Sequence, residues 1–148
     1  MIEVNFPEPS FKIKQEEGRP YVFDEIRKAW LLLTEEEWVR QNFVNYLIDG
    51  LQYPSSLIAL EKELVLNRLK KRFDVLVYNK NHEPWMLVEC KAPTILLNDA
   101  VLQQVLRYNI SIPVSYLVIT NGKQTYGWRK VGSGMEELPQ LPLMEDKV

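Results

Sequence analysis

Hydrophobic positions in the middle of the chain come in short runs that alternate with polar punctuation. Arg72–Tyr78 (RFDVLVY), Trp85–Lys91 (WMLVECK) and Val114–Thr120 (VSYLVIT) are rich in β-branched, aromatic and aliphatic residues, and each is bounded by turn-forming residues. Runs of that length and composition predict strands. Phe11–Gln15 and Pro20–Phe23 flank the polar turn Glu16-Glu17-Gly18-Arg19 and predict a hairpin. Trp30–Leu33 predicts a further short strand, and residues 1–10 an arm. Ile58–Leu66 mixes apolar and charged residues and fits either a strand or a helix, with a strand favoured at its end.

Two segments have helical spacing. Thr34 is followed by Glu35, Glu36 and Glu37, and the Thr34–Glu37 pair has capping-box spacing. A helix is predicted from there to about Asp49, with Val39, Phe43, Tyr46 and Leu47 as its apolar stripe and Gly50 as its stop. Asn98 or Asp99 caps a second helix running to about Asn109. Asn121-Gly122 signals a tight turn, after which Lys123–Lys130 returns as a strand. Residues 133–148 hold Gly134, Pro139, Pro142 and several acids and predict a loose tail. The order of elements implies an α/β chain of the α+β kind, with a central mixed sheet flanked by helices. It divides into residues 1–29 (arm and hairpin), 30–132 (core) and 133–148 (flexible acidic tail).

Composition narrows the function classes. With 46% hydrophobic and 26% charged residues among 148, the chain is globular and supports one core. No apolar run reaches bilayer-spanning length, and the first residues lack a secretory pattern. The lone Cys90 makes no internal disulfide, which points to a reducing, cytoplasmic compartment. A net charge of −2 argues against a protein that coats nucleic acid by charge alone. Basic clusters stand out nonetheless, at Arg68, Lys70, Lys71 and Arg72 and again at Lys123, Arg129 and Lys130. An ordinary solvated face and a polyanion-facing surface account for them equally well.

The candidate chemistry lies in RFDVLVYNKNHEPWMLVECKAP. A hairpin centred between Asn81 and His82 sets Asp74 opposite Glu89, where Cβ atoms approach to about 4.5–5.5 Å. Lys91 shares the face of Glu89, because side chains alternate along a strand. Val75, Val77, Met86 and Val88 then point one way, and Leu76, Tyr78, Trp85 and Leu87 the other. Opposed carboxylates repel, so neutralising Asp74 should leave a metal-free fold as stable or more so. A divalent cation resolves the conflict: Mg²⁺ is commonly held by one or two carboxylates and water. A structural ion-pair cluster is the competing account of the same three residues. Glu61 and Glu63, just before the first core strand, are expected at the surface, with a supporting role behind the site as the alternative. His82 falls in a polar turn, and Cys90 reads as a buried small residue rather than a nucleophile.

Asp74 followed by Glu89-Cys90-Lys91 resembles the acid, spacer, acid-X-Lys signature of the PD-(D/E)XK nuclease superfamily, with Phe73 where the motif name has proline. Three further features resemble one branch of it, the N-terminal nuclease domain of type I restriction enzyme R subunits. Gln104-Val105-Leu106-Arg107-Tyr108 matches a Q-X-X-X-Y motif. Glu36-Glu37-Trp38-Val39-Arg40 is similar to a helix with an acid four residues before arginine. Ile119-Thr120-Asn121-Gly122 looks like the strand and turn that follow. The resemblance spans roughly residues 30–130.

The resemblance implies a restriction-endonuclease-like core and Mg²⁺-dependent hydrolysis of DNA, with Mn²⁺ as a substitute ion. Asp74, Glu89 and Lys91 would be catalytic. Asp74, Glu89 and the Cys90 backbone carbonyl would hold the metal. Gln104 and Tyr108 would contact DNA or support Lys91. The helix acid is carried to Glu36, read as nearer the buried face, with Glu37 as the alternative. The partners implied are DNA and restriction-modification or helicase subunits. No G-X-X-X-X-G-K-[ST] loop occurs, so ATP-driven translocation is not expected of these residues. A catalytically silent DNA- or protein-binding module on the same fold is the alternative function.

Overall fold

The structure is a computed structural model and describes residues 1–66 and 68–144. Three strands, β1 (Ile13–Glu16), β2 (Arg19–Asp24) and β3 (Ala29–Leu32), form a small antiparallel sheet. The boundary expected after residue 29 therefore cuts through β3, which pairs with β2 from Tyr21↔Leu32 to Asp24↔Ala29.

Helix α1 (Glu35–Asn45) starts where the sequence places it. Thr34 is extended, and its hydroxyl accepts the Glu37 amide at 3.0 Å. The helix widens into a π-turn over Tyr46–Gly50. A short 3₁₀ turn (Ser55–Leu57) then leads into β4 (Ile58–Leu66), which is a strand along its whole length.

The main sheet has the order β4-β5-β6-β7-β8-β9. Strands β5 (Leu69–Tyr78) and β6 (Pro84–Cys90) form the predicted hairpin, in the register Val75↔Val88, Leu76↔Leu87 and Val77↔Met86. A bulge at Val77/Tyr78 then shifts the pairing by one residue. From β6 the chain crosses through α2 (Asp99–Asn109), capped by Asn98, to β7 (Tyr116–Thr120). Strands β6 and β7 are parallel, which needs such a crossover. Strand β8 (Thr125–Val131) returns antiparallel after the Asn121–Gln124 turn, where Gly122 takes φ +88°.

The two helices cover opposite faces of the main sheet. Val39, Phe43 and Leu47 of the α1 region pack with Val75, Val77, Met86, Val88, Cys90 and Val118. Leu102 and Val105 of α2 pack with Ile119 and Trp128, whose side chains lie on the other side. Trp85 departs from the simple alternation. It joins the α1-side core, edge-to-face with Tyr53 and Tyr116, one step from the bulge that breaks the period.

Both ends of the described chain are tied to this core. The Ile2 amide bonds the Thr125 carbonyl at 2.7 Å, and the Ile2 side chain is buried. Gly127 leaves the space it occupies, since a Cβ there would stand 3.0 Å from Ile2 Cδ1. The stretch expected as a loose tail contains β9 (Gly134–Glu137), paired with β8, and a buried Leu141. The prolines and acids of that segment masked a short edge strand. Residues 145–148 of the expected tail lie outside the described residues.

Candidate active site

The β5–β6 register, carried one residue past Val75↔Val88, sets Asp74 opposite Glu89. Asp74 stands where the sheet changes character. Phe73 and Val75 are two residues apart yet pack in different cores, so the strand turns over between them. The neighbouring strand is distorted at the same level. Between the pairs Leu60↔Val75 and Lys62↔Phe73, Glu61 takes φ +51°, a conformation uncommon outside glycine. Such strain persists only where surrounding contacts fix it, and it clusters at functional sites.

Those contacts form a buried polar network. The Cys90 amide donates to Asp74 Oδ2 at 2.8 Å, and Arg40 Nη1 donates to Asp74 Oδ1 at 3.2 Å. Arg40 also bonds Glu61 and both oxygens of Glu37. Glu37 in turn accepts from Arg27 and Gln41, and both of these donate to Asp24. The chain of bonds thus runs from β2, through α1, to the middle of β5. Burial alone would lower the Arg40 pKa, but hydrogen bonding to Glu37 and the charges of Glu37, Glu61 and Asp74 raise it. Arg40 is a permanent cation at the back of the site.

Glu89 has no such compensation. Burial and the Asp74 charge push its carboxyl pKa up to about 7, and the Lys91 ammonium pulls the other way. The charges of Glu36 and Glu61 add to the upward push. Asp74 is raised as well, chiefly by burial and against the opposing pull of the Cys90 amide and Arg40. The metal-free site therefore holds more negative charge than its donors and cations balance.

Glu89 and Lys91 line one concavity of about 240 Å³ together with Val101, Gln104, Val105, Tyr108 and Asn109. The i, i+4 spacing of Gln104 and Tyr108 puts both on the α2 face that overlooks the ends of β6 and β7. Tyr108 is largely exposed, and Lys71 Nζ stands 4.0 Å from its ring centre. Asn109 Oδ1 is the one buried side-chain polar atom without a partner among the described residues.

Two expectations change. Glu37, not Glu36, is the buried acid of α1, because the ion network draws it inward. Glu36 is exposed, yet of these two helix acids it is the one whose charge acts on both Asp74 and Glu89. Glu61, expected at the surface, is engaged by Arg40 and Arg72 and faces the site. Alternation alone had no way to reveal it, since its backbone breaks the strand period. Cys90 is fully buried and its thiol is pushed well above the ordinary range by burial. It contributes a backbone donor, not a nucleophile.

Asp74, Glu89 and a backbone carbonyl are hard oxygen donors, the set that suits Mg²⁺ and Mn²⁺. Among the described residues no group of three or more acidic, histidine or cysteine side chains is arranged to hold an ion unaided. Two carboxylates with water and a substrate oxygen would be enough for Mg²⁺. The uncompensated Glu89 carboxylate is the observation in its favour.

Residues 35–142 match the model of the family described as the type I restriction enzyme R protein N terminus (HSDR_N). The chain belongs to that family. The matched residues include Glu36, Asp74, Glu89, Lys91, Gln104 and Tyr108, and exclude β1–β3. Among solved structures, the chain is similar to a fragment described as an HsdR subunit of a type I restriction enzyme from Vibrio vulnificus YJ016. The TM-score is 0.52 at 18% identity, over 75% of this chain and 24% of that one. That likeness supports the fold, and the chain spans about a quarter of the structure it matches. Among proteins with curated descriptions, none is significantly similar to this chain. As an R-protein N-terminal module, the chain has an α+β core with a mixed sheet between two helices, and no helix among the described residues is long and apolar enough to cross a membrane.

Proposed function

We propose that this R-protein N-terminal module is a divalent-metal-dependent nuclease that hydrolyses DNA phosphodiesters. The observation that carries the reading is the half-buried Glu89 carboxylate beside Asp74. Among the described residues it has no hydrogen-bond partner, its pKa is raised to about 7, and it shares a concavity with Lys91, Gln104 and Tyr108. Asp74 and Glu89 hold the ion, with the Cys90 carbonyl as a further donor. Bound Mg²⁺, or Mn²⁺ in its place, would polarise the scissile phosphate and acidify the attacking water.

The protein's own groups do the rest. Lys91 supplies fixed positive charge where the phosphate gains negative charge, and it orients the water. Gln104 and the exposed Tyr108 contact the DNA backbone at the mouth. Arg40 and the Cys90 amide hold the Asp74 carboxylate in one orientation. Glu36 adds negative charge at the edge of the site. DNA and other restriction-modification or helicase subunits are the partners this reading implies. A reducing, cytoplasmic setting suits the free Cys90.

A second reading, a catalytically silent DNA- or protein-binding module, has one observation in its favour. Arg40 already neutralises Asp74, as in a structural ion-pair cluster. Nicking of supercoiled plasmid and of single-stranded DNA in Mg²⁺ or Mn²⁺ separates the two. The nuclease reading expects cleavage that EDTA stops and that Lys91→Ala lowers by about 10²–10³. Wild-type protein no more active than Lys91→Ala, alone or with added restriction-modification subunits, would leave the binding module.

A further inference from the structure

Strand β5 pairs with β6 only over Val75–Tyr78, whereas its pairing with β4 continues to Leu66↔Leu69. Residues 62–66 and 68–73 therefore leave the main sheet as a two-stranded ribbon beside the candidate site. Arg68 turns its tip in a positive-φ conformation. The ribbon is fixed at its base. Leu64 and Phe73 pack with Leu76 and Leu87, and Lys71 Nζ donates to the Tyr108 carbonyl at 3.0 Å. Tyr108 belongs to the wall of the concavity that holds Glu89 and Lys91.

The charge on this ribbon is one-sided. Residues 62–72 carry five cations and a single carboxylate, Glu63, in a chain whose net charge is −2. Lys62, Arg68, Lys70 and Arg72 are exposed, and Glu63 meets Lys70 only at 3.6 Å across solvent. An edge strand is commonly protected by charge. Protection alone does not require one sign, nor its concentration at the margin of a site crowded with carboxylates. A two-stranded ribbon fits the DNA major groove, and its cations fit the phosphates on either side.

We propose that the β4–β5 ribbon is the surface that holds duplex DNA against the site, with Lys62, Arg68 and Lys70 on backbone phosphates flanking the scissile one. This rests on DNA being the substrate, and it explains how an acidic chain retains a polyanion. Removing three phosphate contacts should lower the salt slope of binding by about 0.9 for each contact.

The test is fluorescence anisotropy of a labelled 30-base-pair duplex, in Ca²⁺ to suppress cleavage, at several salt concentrations. The proteins are wild type, a Lys62→Ala/Arg68→Ala/Lys70→Ala variant, and a Lys12→Ala/Lys14→Ala control that loses charge on the small sheet. The ribbon variant is expected to bind at least tenfold more weakly at low salt, with a shallower slope, while the control binds as wild type. All three ribbon side chains are exposed, and thermal melts check that the fold is kept. Equal affinity and slope for ribbon variant and wild type, or equal losses in ribbon variant and control, would overturn the proposal. So would absence of binding by wild type. Binding lost through the ribbon without any nicking by wild type would uphold the surface and sink the nuclease reading. Nicking with unchanged KM in the ribbon variant would do the reverse.

Discussion

Asp74 accepts the Cys90 backbone amide at 2.8 Å, just past the last paired residues of β5 and β6. One carboxylate thus replaces a missing rung of the sheet and fixes the residue between Glu89 and Lys91. With Arg40 on its other oxygen, Asp74 is both a candidate ligand and a structural acceptor. The expected relief of repulsion is therefore opposed, in an asparagine variant, by the two hydrogen bonds that Asp74 accepts. An amide would turn a donor toward Arg40 or toward the Cys90 amide. Asp74→Asn should lower metal-free stability by about 1–3 kcal/mol and abolish stabilisation by Mg²⁺. Thermal melts in EDTA and in Mg²⁺ measure both effects.

Relief of repulsion belongs to Glu89. Its carboxyl pKa is about 7 in the folded protein against an ordinary value of 4.5. The folded state then binds more protons than the unfolded chain between those values, so metal-free stability falls as pH rises through that window. At roughly 1.4 kcal/mol per unit, the loss is on the order of 2–3 kcal/mol. Glu89→Gln should remove that pH dependence and melt higher than wild type at pH 8 in EDTA. Urea titrations at pH 5 and pH 8 would contradict this if the variant and wild type shared one pH profile.

Arg40 is the strongest structural link. Its side chain is 7% exposed and it meets Glu37, Glu61 and Asp74. Arg40→Ala leaves buried carboxylates without a partner and should cost about 3–5 kcal/mol. Arg40→Lys should recover only part of that, because an ammonium does not reproduce the paired bonds to Glu37. Chemical denaturation of the three proteins checks the order.

The Lys91 backbone amide bonds the Thr120 carbonyl, and among the described residues its side chain makes no hydrogen bond or ion pair. Lys91→Ala should keep the melting temperature within a few degrees, keep Mg²⁺ binding, and lose turnover. Glu89→Ala should lose both binding and turnover. Calorimetric titration of Mg²⁺ beside the nicking assay separates the two residues.

The sequence shows the hairpin register because both strands are apolar and the turn between them is polar, which leaves one symmetric centre. It shows the Thr34 and Asn98 caps for the same local reason. It hides Glu61, whose positive φ breaks the alternation on which any reading of faces depends. It also misleads on Glu36 and Glu37. Helical phase favours Glu36 for the interior, but Arg27 and Gln41, with Asp24 behind them, draw Glu37 inward. Those partners lie on other elements or depend on tertiary packing, which sequence spacing does not express. Strand β9 is hidden by the prolines and acids around it.

The most direct measurement of the central claim is a crystal structure of the protein soaked in Mn²⁺, with anomalous density located at the manganese edge. The account predicts one strong peak between Asp74 and Glu89, about 2.0–2.2 Å from a carboxylate oxygen of each, as expected of a small hard cation. No peak there, with Asp74 still held by Arg40 and Glu89 protonated or paired with Lys91, would contradict it.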